Sequence, residues 1–326
     1  MLAIEISSFG APDVLKPVER PKPEPAEDEV IIRVEAAGVA RADLYQRQGK
    51  YPPPPGASDI PGLDVAGTVS TVGSRVSSWR QGDRVCAILA GGGYAEYCAV
   101  PAAQVLPIPE GWSAVEAVTL PENLFTVYDN LITRANLRRG DWALIHGGSS
   151  GIGSMAIMLC RLWGAIPLAT AGTKEKCEAC LGFGAEQAIN YKESDFVAEV
   201  HRITYGRGVD VVLDMVGEAY LQRNVEALAT EGRVSIIATQ GGHRAELDIA
   251  KLMAKRGRIG GATLRARSPQ QKGEIALALR RDVWPHLPAK QYIRPVIDST
   301  FPLREARLAH ERLQSGAHIG KVVLVP

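Results

Sequence analysis

The chain has 326 residues, of which 46% are hydrophobic and 22% are charged, and its formal net charge is +1. This length exceeds the usual size of one hydrophobic core and predicts two domains. The near-neutral charge argues against an extended nucleic-acid-binding surface, and no apolar run is long enough for a transmembrane helix. The five cysteines are few and odd in number. Together with an N-terminus that lacks signal-peptide features, they favour a cytoplasmic protein.

The first 120 residues are predicted to be rich in β-structure. The strand candidates are short, partly β-branched and separated by Gly, Pro and Asp turns; they are Val30 to Ala36, Asp64 to Val72, Arg84 to Leu89 and Tyr94 to Val100. Such spacing indicates a small antiparallel barrel or sandwich. The tail contains a strand after Pro295, a helix from Leu303 to Leu313 and a strand from Lys321 to Val325. We expect this tail to rejoin the first domain, which then comprises residues 1–120 and 291–326.

The remainder, residues 121–290, alternates between predicted strands and helices. The elements in chain order are Trp142 to His146, Ile152 to Trp163, Ile166 to Thr170, Lys174 to Phe183, Ala188 to Asn190, Val209 to Asp214 and Arg233 to Ala238. This alternation predicts right-handed βαβ units and a doubly wound parallel sheet. The fold class is therefore α/β, with a β-rich domain beside the parallel-sheet domain.

A glycine-rich turn follows the first strand of the second domain and leads directly into a helix. Glycines let backbone N–H groups approach the pyrophosphate of a dinucleotide, and the helix beneath contributes its positive end. A glycine turn alone is weak evidence, but the strand–turn–helix–strand setting favours dinucleotide binding. The predicted contacts in this turn are Gly148, Ser149, Gly151, Ile152 and Gly153.

The end of the next strand predicts which cofactor binds. Enzymes specific for NAD place an acidic residue there for the ribose 2′-hydroxyl. Here Gly172 and Thr173 are followed by Lys174 and Lys176, a set that suits a 2′-phosphate and therefore NADPH. The alternative is that the two lysines form an ordinary solvated helical turn.

At this point the chain resembles a known family. The matching motifs are Gly82 to Val85, Leu120 to Thr126, His146 to Gly153, Thr170 to Gly172, Asn190 with Tyr191, and Gly320 to Val323. They are similar to the quinone oxidoreductase branch of the medium-chain dehydrogenase/reductase superfamily. The stretches Arg41 to Tyr51 and Pro53 to Ser58 resemble the p53-inducible type within that branch.

The resemblance implies a GroES-like catalytic domain, an inserted Rossmann domain and a homodimer joined through the cofactor domains. It implies that Lys176 and Tyr191 contact the 2′-phosphate. It also implies that the nicotinamide side is lined by Tyr51, Thr126, Thr263, Leu264, Arg265 and His318. The family usually carries Asn at the position of His318 and often carries Asn at the position of Ala40. These two departures from the family pattern bear on substrate preference.

No metal is expected. The zinc-dependent relatives supply ligands from a Cys-x-x-Asp turn and a Gly-His-Glu turn, whereas this chain has Ala40 to Asp43 and Gly62 to Asp64. A catalytic zinc needs three protein ligands, and the second cysteine cluster of those relatives is also missing. Cys177 and Cys180 lie within a predicted helix and are interpreted as ordinary helix cysteines.

The chemistry is expected to depend on the cofactor, with the protein supplying position and electrostatics. Candidate catalytic residues are Tyr51, Tyr45 and Asp43, the tyrosines as hydrogen-bond donors to the developing oxyanion. Packing roles for both tyrosines, with solvent as the proton source, stay open. The sequence thus predicts reduction of quinones or other conjugated carbonyl compounds. Two alternatives are an NADPH-dependent enoyl reductase acting on acyl thioesters, and an NADPH-binding structural or redox-sensing protein with little turnover.

Overall fold

A computed structural model describes all 326 residues and divides them into two compact units. The first unit comprises Met1–Phe125 and Leu264–Pro326, and the second comprises Thr126–Thr263. The predicted second boundary lay near residue 290, so the structure transfers residues 264–290 to the first unit. The reason is tertiary contact. For example, the Trp112 indole N–H donates a hydrogen bond of 3.2 Å to the Leu287 carbonyl oxygen.

The structure contains fifteen strands and ten α-helices. The strands are β1 (Leu2–Ile6), β2 (Leu15–Glu19), β3 (Glu29–Val39), β4 (Asp64–Val72), β5 (Arg84–Ile88), β6 (Tyr97–Pro101), β7 (Val105–Pro107), β8 (Trp142–Ile145), β9 (Ile166–Ala171), β10 (Gln187–Asn190), β11 (Val209–Asp214), β12 (Leu228–Ile236), β13 (Arg258–Gly261), β14 (Ile297–Pro302) and β15 (Lys321–Val325). The helices are α1 (Arg41–Arg47), α2 (Ala114–Ala117), α3 (Pro121–Val127), α4 (Gly151–Leu162), α5 (Lys174–Phe183), α6 (Phe196–Ile203), α7 (Glu218–Ala227), α8 (Ile249–Ala254), α9 (Pro269–Asp282) and α10 (Ala306–Gln314). None of these helices is long and apolar enough to cross a membrane.

The first unit is built on a seven-stranded sheet in the order β14-β15-β3-β4-β5-β7, with β6 also paired to β3. All pairs except β14 with β15 are antiparallel. The C-terminal strand β15 pairs with β3 through Val322 to Leu324, so the tail is part of this sheet. The buried core includes Ile4, Val65 and Leu324.

The second unit contains a parallel sheet of six strands in the order β10-β9-β8-β11-β12-β13. The chain adds strands on one side of β8 as far as β10, and then returns to add β11 to β13 on the other side. The order therefore reverses between β8 and β11, where ligands bind at the carboxyl ends of the strands in sheets of this type. All six residues of β11 are buried, as is typical of a strand covered on both faces.

Local sequence signals explain where the key helices begin. Ser150 caps α4, Thr173 caps α5 and Ser268 caps α9, each by accepting a backbone N–H hydrogen bond through its side-chain oxygen. Such caps stabilise a helix by about 1 kcal/mol. Gly184 follows the last residue of α5 as its C-cap, and its φ of 108° is readily adopted only by glycine.

Candidate functional site

The turn after β8 is packed so closely that side chains are excluded from two of its positions. An added Cβ at Gly153 would lie 2.2 Å from the Gly147 carbonyl oxygen. At Gly148 it would lie 2.7 Å from the Cβ of Ala169. These approaches are far inside van der Waals contact, so glycine is required at both positions. The turn thereby brings its backbone against the sheet at the point where the strand order reverses.

Helix α4 begins directly after this turn. The Ser150 hydroxyl accepts a hydrogen bond of 3.0 Å from Gly153 N–H, and Ser149 is buried beside it. The first N–H groups of a helix have no intrahelical acceptor, and here they belong to Gly151 and Ile152. Helix polarity adds a partial positive charge at the same end. The predicted residues of the turn therefore form a structure suited to a phosphate group.

His146, which follows β8, is a buried residue that connects neighbouring elements by hydrogen bonds rather than a base. The Asn224 amide nitrogen donates to Asp214, so its oxygen accepts from His146 Nε2–H at 2.8 Å. The Nδ1 atom is left to accept from the Thr170 hydroxyl at 3.0 Å. Burial lowers the pKa of His146 to about 4, which keeps the ring neutral at pH 7. The ring thus joins β8, β9 and α7 beneath the glycine-rich turn that leads from residue 147 into the start of α4, which we call the phosphate turn.

A glycine, two hydroxyl groups and an amine lie at or near the end of β9. An added Cβ at Gly172 would lie 2.7 Å from the Tyr191 hydroxyl oxygen, so the absent side chain leaves room for the phenol. Thr173 accepts a hydrogen bond of 3.3 Å from Lys176 N–H and starts α5. Lys176 is partly buried and Tyr191 is 44% exposed. Gly172 and Tyr191 are therefore together at the strand end, with Lys176 in the first turn of the adjoining helix.

In the first unit, Asp43 is fully buried and joins two turns. Its Oδ2 accepts from Ala40 N–H at 2.8 Å and from the Tyr94 hydroxyl at 3.3 Å, and its Oδ1 accepts from Gly62 N–H at 3.0 Å. Burial raises the pKa of Asp43 to about 6, although the N–H donors of Ala40 and Gly62 oppose the rise. The carboxylate oxygens are thus bonded to protein donors, an arrangement that positions the turns around them.

A buried chain of polar groups extends from this carboxylate. The Arg47 guanidinium donates to His310 Nδ1 at 3.3 Å, which leaves His310 Nε2–H to donate to the Tyr94 hydroxyl oxygen at 3.0 Å. Tyr94 then donates to Asp43. Burial lowers the pKa of His310 to about 3, with the Arg47 charge adding to the effect. The chain fixes α1 against α10.

Tyr51 lies in the loop after α1, and Arg265 holds that loop. The Arg265 guanidinium donates to the Tyr51 carbonyl oxygen at 3.0 Å, to Gln46 Oε1 at 2.6 Å and to the Ala90 carbonyl oxygen at 2.8 Å. Burial raises the pKa of Tyr51, and Arg265 opposes this only in part, so the phenol is protonated at pH 7. Tyr45 on α1 is partly buried and its hydroxyl makes no hydrogen bond within the protein.

A further polar cluster lies among β4, α3 and β15. The Lys321 ammonium is 2.9 Å from Asp64 Oδ2 and 3.1 Å from Glu122 Oε2, and the side chains of Lys321 and Asp64 are almost fully buried. Burial raises the pKa of Asp64, and the Lys321 charge opposes the rise. An added Cβ at Gly38 would lie 2.3 Å from Asp64 Oδ1, so glycine makes room for the pair.

The remaining predicted residues are distributed over both units. Thr126 and Thr263 are the first and last residues of the second unit, and Leu264 opens the returning segment of the first. His318 is buried just before β15. Arg265, which the resemblance assigned to the nicotinamide side, uses its donors on protein acceptors. Sequence reasoning missed Lys321 with Asp64 and Glu122; the Gly320 to Val323 motif was the available signal.

No group of three or more His, Cys, Asp or Glu side chains is arranged to hold a metal ion. Ala40 and Leu63 are buried, and they stand at the positions that correspond to zinc ligands in the zinc-dependent relatives. The cysteines Cys177 and Cys180 are free thiols on α5, the first partly buried and the second buried. Burial raises the pKa of Cys180 to about 12, so its thiol stays protonated.

Two family models match the chain. Residues 26–110 match "Alcohol dehydrogenase GroES-like domain", and residues 151–280 match "Zinc-binding dehydrogenase". Quinone oxidoreductase from Lama guanicoe is 34% identical over 328 residues, which cover 100% of this chain and 97% of that protein. This identity extends over both units.

Solved structures agree with this relationship. The quinone oxidoreductase of Escherichia coli, solved in complex with NADPH, is 30% identical, covers 100% of both chains and has a TM-score of 0.88. An NAD-dependent alcohol dehydrogenase is 29% identical over 100% of both chains, with a TM-score of 0.87. The β-rich unit is accordingly GroES-like, and the parallel-sheet unit is Rossmann-like. The chain belongs to the quinone oxidoreductase branch of the medium-chain dehydrogenase/reductase superfamily.

Proposed function

We propose that this protein is an NADPH-dependent oxidoreductase that reduces quinones or related conjugated carbonyl compounds without a metal ion. The observation that carries the cofactor assignment is the end of β9, where the Tyr191 hydroxyl lies against Gly172 and Lys176 follows in α5. An amine and hydroxyls attract a 2′-phosphate, whereas an acidic residue at this place would repel it. The complex of the Escherichia coli relative with NADPH supports the same assignment.

The described residues fit this cofactor. The N–H groups of Gly151 and Ile152 suit the pyrophosphate, and Thr173, Lys176 and Tyr191 suit the 2′-phosphate. When bound, NADPH supplies a hydride to an electron-poor carbon of the substrate. The neutral His146 ring keeps β8 and β9 in register beneath the turn, because its bonds to Thr170 and Asn224 require one fixed tautomer.

The first unit supplies a hydrogen-bond donor for the negative charge that develops on the substrate oxygen. Tyr51 suits this role because its raised pKa keeps the hydroxyl proton in place. Tyr45 is a second candidate on the adjoining helix. Asp43 acts as a positioning residue, since its oxygens accept from Ala40, Gly62 and Tyr94.

The metal-free mechanism is supported by the residue types at the ligand positions. Ala40 and Leu63 have no donor atom in their side chains, and a catalytic zinc takes three protein ligands. Asp64, next to Leu63, pairs with Lys321. These residues favour catalysis by position and hydrogen bonding.

The decisive experiment is a substrate panel with NADPH consumption measured at matched concentrations. The panel contains a para-quinone, an ortho-quinone, an open-chain enone, a crotonyl thioester and a saturated ketone. We expect the quinones to give the highest kcat/KM, with the enone below them. Preference for the thioester would establish an enoyl reductase instead. Tight NADPH binding without oxidation by any member would establish a binding protein.

Three further assignments belong to this proposal. The second unit is the cofactor domain and the first is the catalytic domain, and the protein is a homodimer joined through its cofactor domains. Within the branch, we assign the chain to the p53-inducible type on the strength of residues 41–51 and 53–58. Light scattering tests the dimer, because a monomeric mass at micromolar concentration would contradict it.

A further inference from the structure

A cavity of about 640 Å³ lies in the second unit, away from the phosphate turn. It is lined by Asp141 before β8, by Arg233 in β12 and by Arg258 in β13. The phosphate turn follows the carboxyl end of β8, whereas Asp141 precedes β8 and Arg258 is the first residue of β13. Arg233 is inside β12, but the ladders through Val211 place it level with Ala143, the second residue of β8. The cavity therefore lies at the opposite end of the parallel sheet, where the strands begin. Its volume falls within the range of small-molecule sites.

The floor of this cavity is the part of the sheet formed by β12 and β13, and two arginines lie side by side on it. In the parallel ladder of β12 and β13, Arg233 is paired with Arg258, and Ser235 is paired with Gly260. Alternate residues of a strand share a face, so all four lie on the same face. Like charges in directly opposite positions destabilise a sheet unless a counter-charge is present. Above Gly260 no atom lies within 4 Å of an added Cβ, so the floor is open at that position.

The acidic residues of the cavity are already neutralised by other arginines. Asp141 pairs with Arg233 at 3.0 Å, and Asp210 pairs with Arg207 at 2.6 Å. Glu231 pairs with Arg256 at 2.5 Å. On the wall of the cavity, Arg134 pairs with Asp129 at 2.8 Å.

Two guanidinium groups are left over. Arg138 and Arg258 line the cavity, are exposed, and make neither an ion pair nor a side-chain hydrogen bond. A guanidinium presents several N–H donors in a plane that matches the oxygens of a phosphate group. The cavity thus combines room for a small molecule with two guanidinium groups that form no ion pair, although the Arg258 charge also acts on Glu231.

We propose that this cavity is a second ligand site, which binds a phosphate-bearing small molecule through Arg138 and Arg258. The ligand places its phosphate oxygens between the two guanidinium groups and extends over the open floor at Gly260. This site is independent of the proposed cofactor site, because none of its lining residues belongs to the phosphate turn or to the end of β9.

Pyrophosphate is the probe that tests this proposal. It is titrated by isothermal calorimetry into the parent protein and single variants, each saturated with NADPH so that the proposed cofactor site is occupied. We expect one pyrophosphate per chain, with binding weakened about tenfold or more by Arg138→Gln and by Arg258→Gln, as for loss of one charge-assisted contact. Arg139→Gln is the matched control, since Arg139 is an exposed neighbour that does not line the cavity. Lys176→Ala should leave this binding unchanged.

The other outcomes overturn the proposal. Absence of saturable heat removes the site, and equal weakening by Arg139→Gln indicates diffuse surface charge. Loss in Lys176→Ala alone places the anion at the proposed 2′-phosphate site. Citrate that binds as tightly as pyrophosphate assigns the cavity to carboxylates. If the two variants instead change the mass measured by light scattering and leave the heat unchanged, the arginines contact a second copy of the chain.

Discussion

The Arg265 guanidinium lies 5.2 Å from the ring centre of Tyr51 and also donates a hydrogen bond to the carbonyl oxygen of that residue. One cation thus contacts both the ring and the backbone of the proposed donor. The Arg265 carbonyl oxygen in turn accepts a hydrogen bond of 2.9 Å from the buried Lys272 ammonium. This connection extends from α9 to the loop that follows α1.

Arg265→Met should therefore lower turnover through Tyr51. We expect kcat to fall about tenfold to a hundredfold, because small misplacements of a reacting group have effects of this size. The dissociation constant of NADPH, measured by fluorescence titration, should change little, and Arg139→Met serves as the surface control. A large loss of NADPH affinity with kcat unchanged would instead assign Arg265 to the cofactor, as the family resemblance implies.

Tyr51→Phe tests the donor itself. Loss of a hydrogen-bond donor to a developing oxyanion costs up to ~10²–10³ in rate, and water that replaces the hydroxyl reduces this loss, so we expect about tenfold. Single-turnover kinetics with NADPH isolate the step, and Tyr45→Phe in parallel shows which tyrosine matters. If turnover is unchanged in Tyr51→Phe, the residue only packs and solvent delivers the proton.

Lys176→Ala tests cofactor selection, with Lys174→Ala as the matched control. Lys174 is exposed and lies 4.0 Å from Glu178 of its own helix. We expect Lys176→Ala to raise the KM for NADPH about tenfold or more, since a charged contact contributes ~1.5–3 kcal/mol. The KM for NADH should hardly change. Equal kinetics of the parent protein with both cofactors would refute the assignment.

Metal independence is tested by dialysis against a strong chelator. We expect full turnover afterwards, and elemental analysis of the untreated protein should find no stoichiometric zinc. Activity that is lost on dialysis and restored by added zinc would contradict the metal-free proposal.

His146 should make the protein sensitive to mild acid. Its pKa is lowered from 6.5 to about 4 in the folded protein, so the unfolded chain binds the proton more readily. Its contribution to stability is present above pH 6.5 and is lost as the pH falls toward 4. Between pH 7.5 and 5 this loss is about 2 kcal/mol in the free energy of unfolding.

The measurement is urea unfolding at both pH values for the parent protein and His146→Gln. The variant should be less stable at pH 7.5, because its bonds to Thr170 and Asn224 are disrupted, but its stability should depend less on pH. His243→Gln, at an exposed position, is the control. An unchanged pH dependence in His146→Gln would show that the ring does not titrate as inferred.

The sequence predicted the elements whose boundaries are local in origin. The bounds of α5 and β11 agree with the prediction because a Thr cap and a Gly stop define the helix and a short apolar run defines the strand. By contrast, β6 begins at Tyr97 and not at Tyr94. Tyr94 instead points its hydroxyl to His310 and Asp43, residues far away in the chain.

The site was predictable to a similar extent. The phosphate turn has a local pattern, so its residues could be named in advance. The acceptors of Arg265 lie at positions 46, 51 and 90, and the partners of Lys321 lie at 64 and 122. No local pattern connects such separations, and these contacts follow only from the tertiary structure.

The return of β15 to pair with β3 has a consequence for how the protein is made. The second unit is continuous from Thr126 to Thr263, whereas the sheet of the first unit is completed only by residues near the C-terminus. During synthesis the second unit can therefore fold on the ribosome before the sheet of the first unit has its last two strands, β14 and β15. A ribosome stalled after residue 300 would carry a folded parallel sheet and an open β-rich half.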